Sequence, residues 1–487
     1  MASTIVQVEG DPKRRAQDID PLGIAAANLL ANLVPGMEVH VTYKKPPSDP
    51  PGPITFVFDT NCPGHIGGSF RPVFQSGGWY KQIELRLTER AKSFFTRASV
   101  ISAAQSPPRL RYLSDIPVEL DKANAISDRL AQDWGIDLTN HPKPGTVRAL
   151  CSQLPLSAIC HIAADLRYPF FDEALSRRKK HDGLATTLVN VLEYMDKLAT
   201  TRVEHEQLSH SIVIAKPSRT SRSSPIGTYP EDFSSLKRTP LLSDGTRAAL
   251  WISPQGEPIG LITPDWIQQR AHRHRPSPLP FGGLGFLAKA SAALTGIAVA
   301  LRRDGSIIIF IDGRPLFMRR GSRWRGIMWS AARDSLQGYF GDIGRVVFDA
   351  AVILSMTGHG GVFAIVNQEP SGLSDKDIVA RGRAAIHFGQ IGGFPKEWLF
   401  HRLLPSTNVV DLGPATLAML SGIDGATIIT REGVLLAYGA VVPCKPSESE
   451  GARSAAAREL SENGFVVKVS ADGPISLFED GVEIIEV

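Results

Sequence analysis

The sequence is poor in cysteine. Its 487 residues hold four, Cys62, Cys151, Cys160 and Cys444, too scattered to form a CxxC pair. That spacing argues against a zinc knuckle and a disulfide framework, and it is the pattern of reduced, cytoplasmic thiols. Long apolar runs are lacking too: the most apolar stretch, 290–301, is about twelve residues, short of the ~20 that span a bilayer. The N-terminal MASTIVQVEGDPKRRAQDID has too short an apolar stretch for a signal peptide, and its basic residues follow that stretch rather than precede it. No membrane partner is expected. An excess of one charge is also missing, since 53 Lys and Arg against 49 Asp and Glu leave a net +4, a mildly basic balance that demands no specific nucleic acid.

What is present is ordinary soluble composition, 43% apolar and 21% charged, at a length that suggests about three domains. A segment rich in Ser, Pro and Arg, 216–238, reads as a linker. It separates an N-terminal α+β region of unknown role, 1–215, from a β-hairpin-rich extension, 239–325, and a C-terminal domain, 326–487.

In the N-terminal region the pattern predicts a helix over 21–33, a strand over 37–43, a proline-rich loop over 44–53 and a strand over 55–59. The glycine-rich turn 61–68 lacks the Lys-Ser/Thr pair of a phosphate loop. Helical spacing returns at 119–134 and 183–207, where Leu184, Leu188, Val191, Leu192, Met195 and Leu198 make one buried face. His205 and His210, at the end of the latter stretch, are five apart and cannot share a helix face as a zinc-binding HExxH pair does, so a solvated helix end is expected there.

Beyond the linker, strands 248–253 and 258–263 flank Pro254-Gln255-Gly256-Glu257, strands 296–301 and 306–311 flank a turn at 302–305, and a strand 314–320 follows Asp312-Gly313. Residues 326–356 read as helical with a break near Gly341-Asp342. Strands 426–430 and 434–442 then form a hairpin around Arg431-Glu432-Gly433. A helix 452–463 lies between Gly451 and Asn463-Gly464, and strands 465–470 and 474–478 are joined by Ala471-Asp472-Gly473. Two glycine-punctuated corners, Asp424-Gly425-Ala426 and Gly451-Ala452-Arg453, sit where apolar β-rich segments meet another element, a usual place for nucleotide phosphates.

This ordered set resembles the C-terminal half of the diadenylate cyclase (DAC) domain, the bacterial module that joins two ATP molecules into cyclic di-AMP. Asp424-Gly425-Ala426 matches the family's Asp-Gly-Ala corner, and Val469-Ser470 matches its Val-Ser strand end. Upstream, 348–354 resembles the preceding helix, and Thr357-Gly358 followed by 361–366 resembles the first core strand. The family's Gly-Thr-Arg-His-Arg is represented by Gly451, Ala452, Arg453, Ser454 and Ala455, so only its Gly and first Arg are kept. Arg273-His274-Arg275 copies the missing letters, but it precedes Pro276, lacks the Gly-Thr lead-in and opens no helix. The resemblance covers roughly the last third of the chain.

The resemblance implies an α/β fold: a DAC-like domain with a mixed central sheet flanked by helices, preceded by the hairpin extension and a separate α+β domain. It assigns Asp424 to catalysis and to a Mg²⁺ or Mn²⁺ ion, and Gly425, Ala426, Gly451, Ala452, Arg453, Ser454 and Ser470 to the nucleotide. In-line attack of a 3′-hydroxyl on an α-phosphate needs cations to absorb the developing charge. Losing a His and an Arg therefore removes donors worth roughly a hundredfold each in rate. Arg453 still offers a planar fork, and the amides at Gly451 and Ala452 still open a helix. Three readings follow: a nucleotide-binding signalling sensor without turnover, an active cyclase of two facing protomers with donors drawn from the arginines of 314–325, and a non-catalytic interaction scaffold.

Overall fold

The protein is described here from a computed structural model. It covers strand segments between 4 and 87, residues 90, 91, 93 and 94, and then 174–203, 206–216, 243–270, 279–311, 313–321, 323–367, 407–422, 425–440, 442 and 451–487. The expectations placed on 21–33, 45–53, 61–68, 119–134, 217–238, 273–275, His205, Asp424 and the four cysteines lie outside the described residues. The chain is a mixed α/β protein of mixed sheets flanked by helices. It divides into two compact units, one of 1–88, 114–278 and 282–328, the other of 89–113, 279–281 and 329–487.

The first unit opens with β1 (Thr4–Val8), β2 (Met37–Lys44), β3 (Val57–Asp59), β4 (Ser69–Arg71), β5 (Val73–Ser76) and β6 (Trp79–Leu87), ordered β1-β2-β6-β4-β3 with β5 also on β6. Helix α1 (Ala174–Ala199) follows, then the small hairpin β7 (Arg202–Val203) and β8 (Glu206–Gln207). The helix therefore ends before 207. The Thr200 and Thr201 hydroxyls both donate to the Lys197 carbonyl at 2.9 Å, satisfying it locally where the ladder stops.

The same unit holds β9 (His210–Ile214), β10 (Ala249–Ile252), β11 (Pro258–Ile262), α2 (Pro264–Arg270), α3 (Gly285–Ala293), β12 (Ile297–Leu301), β13 (Ile307–Ile311), β14 (Arg314–Arg320) and β15 (Arg323–Gly326). Its strands run β11-β10-β9-β12-β13-β14-β15, with β9 parallel to β10 and every other pairing antiparallel. Strands on both sides of the serine-rich segment 216–238 thus share one sheet. Every residue of β9, β10, β12 and β13 is buried, because helices α1 and α3 pack on this sheet. That two-sided burial is why IAVAL and IIIFI are apolar throughout rather than alternating.

His210 corrects the solvated helix end that the sequence suggests. It is fully buried in β9, edge-on to the Tyr194 ring with centroids 5.6 Å apart, and its Nδ1 shares a 2.7 Å hydrogen bond with Ser243 Oγ. Burial pushes its pKa down to about 3, against a weaker upward pull from its hydrogen bond to Ser243. Nothing in the helical spacing of 183–207 signals this, because the chain leaves the helix before reaching it.

The second unit carries α4 (Trp329–Thr357), β16 (Gly361–Val366), α5 (Val409–Ser421), β17 (Ala426–Thr430), β18 (Leu435–Ala440), α6 (Ala452–Ser461), β19 (Gly464–Val469), β20 (Ile475–Glu479) and β21 (Val482–Glu486). The sheet order is β18-β17-β16-β19-β20-β21, with β16 and β17 parallel and the remainder antiparallel. Alternation along the strands sends two sets of side chains to opposite faces. Val362, Ala364, Val366, Val466 and Phe478 pack with Ala457 and Leu460 of α6. Phe465, one residue from Val466, stacks instead on Tyr339 and Phe94 and meets Phe340, so α4 covers the other face.

Helix α4 breaks where the sequence predicts, at Gly341, whose φ of 59° and ψ of −138° are open to glycine and strained for other residues. Arg333, before the break, makes a bidentate ion pair with Asp349 beyond it, Nε to Oδ1 at 2.6 Å and Nη2 to Oδ2 at 3.2 Å, with both side chains buried. Burial raises the Asp349 carboxyl above the usual carboxylate range while Arg333 pulls it back.

Two outcomes are expected. Between pH 6.5 and about 3 the unfolded chain binds a proton that folded His210 refuses. The stability of the first unit is therefore complete above pH 6.5 and falls as pH drops, by at most ~1.4 kcal/mol per pH unit from this residue. Thermal melts from pH 7.5 to 4.5 check this, with the slope reduced in His210→Gln. In the second unit, Asp349→Ala strands a buried guanidinium and should lower stability by about 3 kcal/mol, read from the urea midpoint.

Candidate functional site

The register of the C-terminal sheet decides which residues meet. Val362 of β16 lies beside Ala426 of the parallel strand β17 and opposite Lys468 of the antiparallel strand β19. One end of the sheet therefore holds, in a row, Gly425-Ala426, Gly360-Gly361 and Lys468-Val469-Ser470, with neighbouring strands about 4.8 Å apart. Ala426 is buried in the core under α6, while Gly425 is half-buried at the strand entrance. Gly425 has a φ of 114°, and a Cβ there would lie 2.4 Å from the Gly439 carbonyl carbon of β18, so two backbones touch where a side chain would stand. Its neighbour Asp424, the residue assigned to catalysis and metal by resemblance, lies outside the described residues.

Helix α6 begins at this same end. Gly451 is its N-cap, extended at φ −70° and ψ 153°, and no side chain caps it. The Gly451 carbonyl accepts from the amides of Ser454 at 2.9 Å and Ala455 at 3.1 Å. The amides of Ala452 and Arg453 come before the first intrahelical bonds and point outward from the helix start. Both of these residues are exposed.

The Arg453 side chain folds back over Gly360. A Cβ on Gly360 would meet its Nη1 at 2.7 Å and its Cζ at 2.8 Å, so the missing side chain is what lets the guanidinium lie there. Among the described residues no carboxylate pairs with it. Next to Gly360, the exposed His359 shares a 3.1 Å hydrogen bond between Nδ1 and Thr357 Oγ1 at the end of α4.

Ser454 stands where the resembled family has histidine, and it is met by a cation from below. Lys468 reaches up from β19 and donates from Nζ to Ser454 Oγ at 3.0 Å, with the ammonium 5.6 Å from the centre of the Phe478 ring. Lys468 is only 7% exposed. Ala455, in place of the family's second arginine, is buried and adds no polar group. Ser470 shapes the next turn through its backbone, its amide donating to Pro474 O and its carbonyl accepting from Gly473 N, each at 2.9 Å.

Sequence reasoning did not single out His359 or Lys468. A charge inside Phe465-Val466-Val467-Lys468-Val469, a strand otherwise apolar, is the one signal that could have flagged Lys468. Of the arginines of 314–325, Arg319 is bonded to Asp196, and Arg320 shares Asp304 with Arg302.

Arg453, His359, Lys468 and Ser454 bring N–H and O–H donors and no carboxylate to this end of the sheet. Such a set of donors suits an anion. Among the described residues no cluster of three or more His, Cys, Asp or Glu could hold a metal ion, and no helix is long and apolar enough to cross a membrane.

No family model matches this chain, and no curated protein matches it. Among solved structures it is similar to a hypothetical membrane spanning protein from Bacillus cereus, at 17% identity and a TM-score of 0.23 over 32% of this chain and 73% of that one. It is also similar to DacA from Staphylococcus aureus, a diadenylate cyclase, at 21% identity and a TM-score of 0.20 over 30% of this chain and 87% of that one. Both likenesses are too slight to carry an argument about this chain.

The contact at Gly425 gives a direct test of the site's framework. Gly425→Ala puts a methyl group against the Gly439 backbone at a φ that side chains rarely adopt. It should cost on the order of 1–3 kcal/mol from backbone strain alone, measured as a lower urea midpoint.

Proposed function

We propose that the C-terminal unit binds a nucleotide by its phosphates, as a sensor on a diadenylate-cyclase-like fold with weak or absent turnover. The observation that carries this reading is the convergence at one sheet end of Gly425-Ala426, Gly360 and the start of α6, with an arginine fork that no described carboxylate pairs lying across it. A helix N-terminus presents amide donors and the positive end of the helix dipole. A planar guanidinium adds two parallel donors suited to phosphate oxygens.

Weak turnover follows from the same residues. Cyclisation needs cations placed on the charge that develops as pyrophosphate leaves. Ser454 and Ala455 bring neither imidazolium nor guanidinium to that position, and Ala455 is buried. Binding tolerates this loss better than rate does, because ground-state contacts to the remaining phosphate oxygens survive it.

The test is isothermal titration of the whole protein with ATP and with cyclic di-AMP, with and without Mn²⁺, followed by chromatography of the same samples. Binding without product, weakened about 10- to 100-fold in Arg453→Ala as for loss of a charged hydrogen-bonding partner, is the expected result. Accumulating cyclic di-AMP would replace the sensor by a cyclase. Absence of binding to either nucleotide would overturn the reading and leave the scaffold.

A further inference from the structure

Lys468 poses a problem of charge burial. It is 93% buried by its 7% exposure, on a strand whose other residues are all buried, and no described carboxylate is paired with it. Taking an ammonium out of water costs several kcal/mol unless a counter-charge and hydrogen bonds replace the solvent. Two partners are in place. Ser454 Oγ accepts one of the three ammonium protons at 3.0 Å, and the Phe478 ring lies 5.6 Å away. A hydroxyl dipole and a cation–π contact, worth roughly 1–2 kcal/mol, do not amount to a counter-ion.

A second polar group is also left over nearby. Ser476 is directly opposite Lys468 across the β19–β20 pairing, so the two side chains leave the sheet on the same face. Its Oγ is buried and has no hydrogen-bond partner among the described residues. The Arg333–Asp349 pair shows how this unit settles a buried cation elsewhere, with a carboxylate held by two bonds. At Lys468 no described residue supplies such a carboxylate, and the ammonium is aimed at the first turn of α6, beside the outward amides of Ala452 and Arg453.

From this geometry we infer that Lys468, with Ser454, is the inner half of a phosphate-binding site: a phosphoryl group at the start of α6 is held from outside by Arg453 and the helix amides and from beneath by the Lys468 ammonium. This rests on the nucleotide reading above and names the ligand group as a phosphoryl group. Half-buried Ser454 is the boundary between the ammonium and solvent. Through it, a cation from another strand reaches the position where the resembled family carries histidine.

The experiment compares the full-length wild type with Lys468→Met, which keeps an unbranched chain of similar length without the charge. Two readouts are used: thermal stability without ligand, and affinity for ATP, inorganic triphosphate and adenosine. The inference expects Lys468→Met to be as stable as the wild type or more stable, to bind ATP and triphosphate at least tenfold more weakly, and to leave adenosine binding unchanged. Triphosphate should raise the wild-type melting temperature more than sodium chloride of equal ionic strength does, a readout that stands even where the variant fails to fold. ATP bound equally by wild type and variant, or a triphosphate effect no larger than that of salt, overturns the Lys468 assignment while leaving Arg453-dependent binding intact. A wild type that takes neither ATP nor triphosphate overturns both readings.

Discussion

The parallel pairing of β16 with β17 is the constraint on which the C-terminal unit depends. Two parallel strands cannot be joined by a hairpin, so the chain must leave β16 at Val366 and return through α5 before re-entering at Gly425. That return brings Gly425 level with Gly361 although the two are 64 positions apart in sequence. Strand β19 then pairs antiparallel on the other flank of β16 and ends at the same edge. Helix α6, which lays Ala457 and Leu460 on Val362, Ala364 and Val466, is thereby fixed with its first turn over that edge. The position of Arg453 is thus a consequence of strand order and of the face that α6 must bury.

Charge burial is handled in different ways within the described residues. His210 stays neutral in the first unit, giving up its proton rather than its place in β9. Arg333 stays charged and is met by Asp349 across the Gly341 break, which ties the two arms of α4 together. Lys468 stays in the core of the sheet with a hydroxyl and a ring but no carboxylate. In the first, Ser243 meets Nδ1 and the ring stays uncharged; in the second, the carboxylate meets the guanidinium. Lys468 meets no described carboxylate, and it lies where the sheet end and the helix start favour an anion.

Much of the fold was legible in the sequence because local rules govern it. The Gly341 break, the turn at Gly256 and the span of α6 follow from glycine conformation and apolar spacing, which nearby residues set. The end of α1 and the burial of His210 were not legible. The Thr200 and Thr201 hydroxyls both bond the Lys197 carbonyl where the helix ends, and His210 is then pulled into a sheet whose neighbours, β10 and β12, come from segments far along the chain.

For the site, the sequence by itself determined the corners: Gly425-Ala426 at a strand entrance and Gly451-Ala452-Arg453 at a helix start, each a local arrangement of glycine and backbone. Only the tertiary structure decided that these corners share one sheet edge, that Arg453 lies over Gly360, and that Lys468 rises beneath Ser454. Each of those is a contact between strands or layers distant in sequence. Strand register and the choice of buried face set them, and no window of neighbouring residues carries that information.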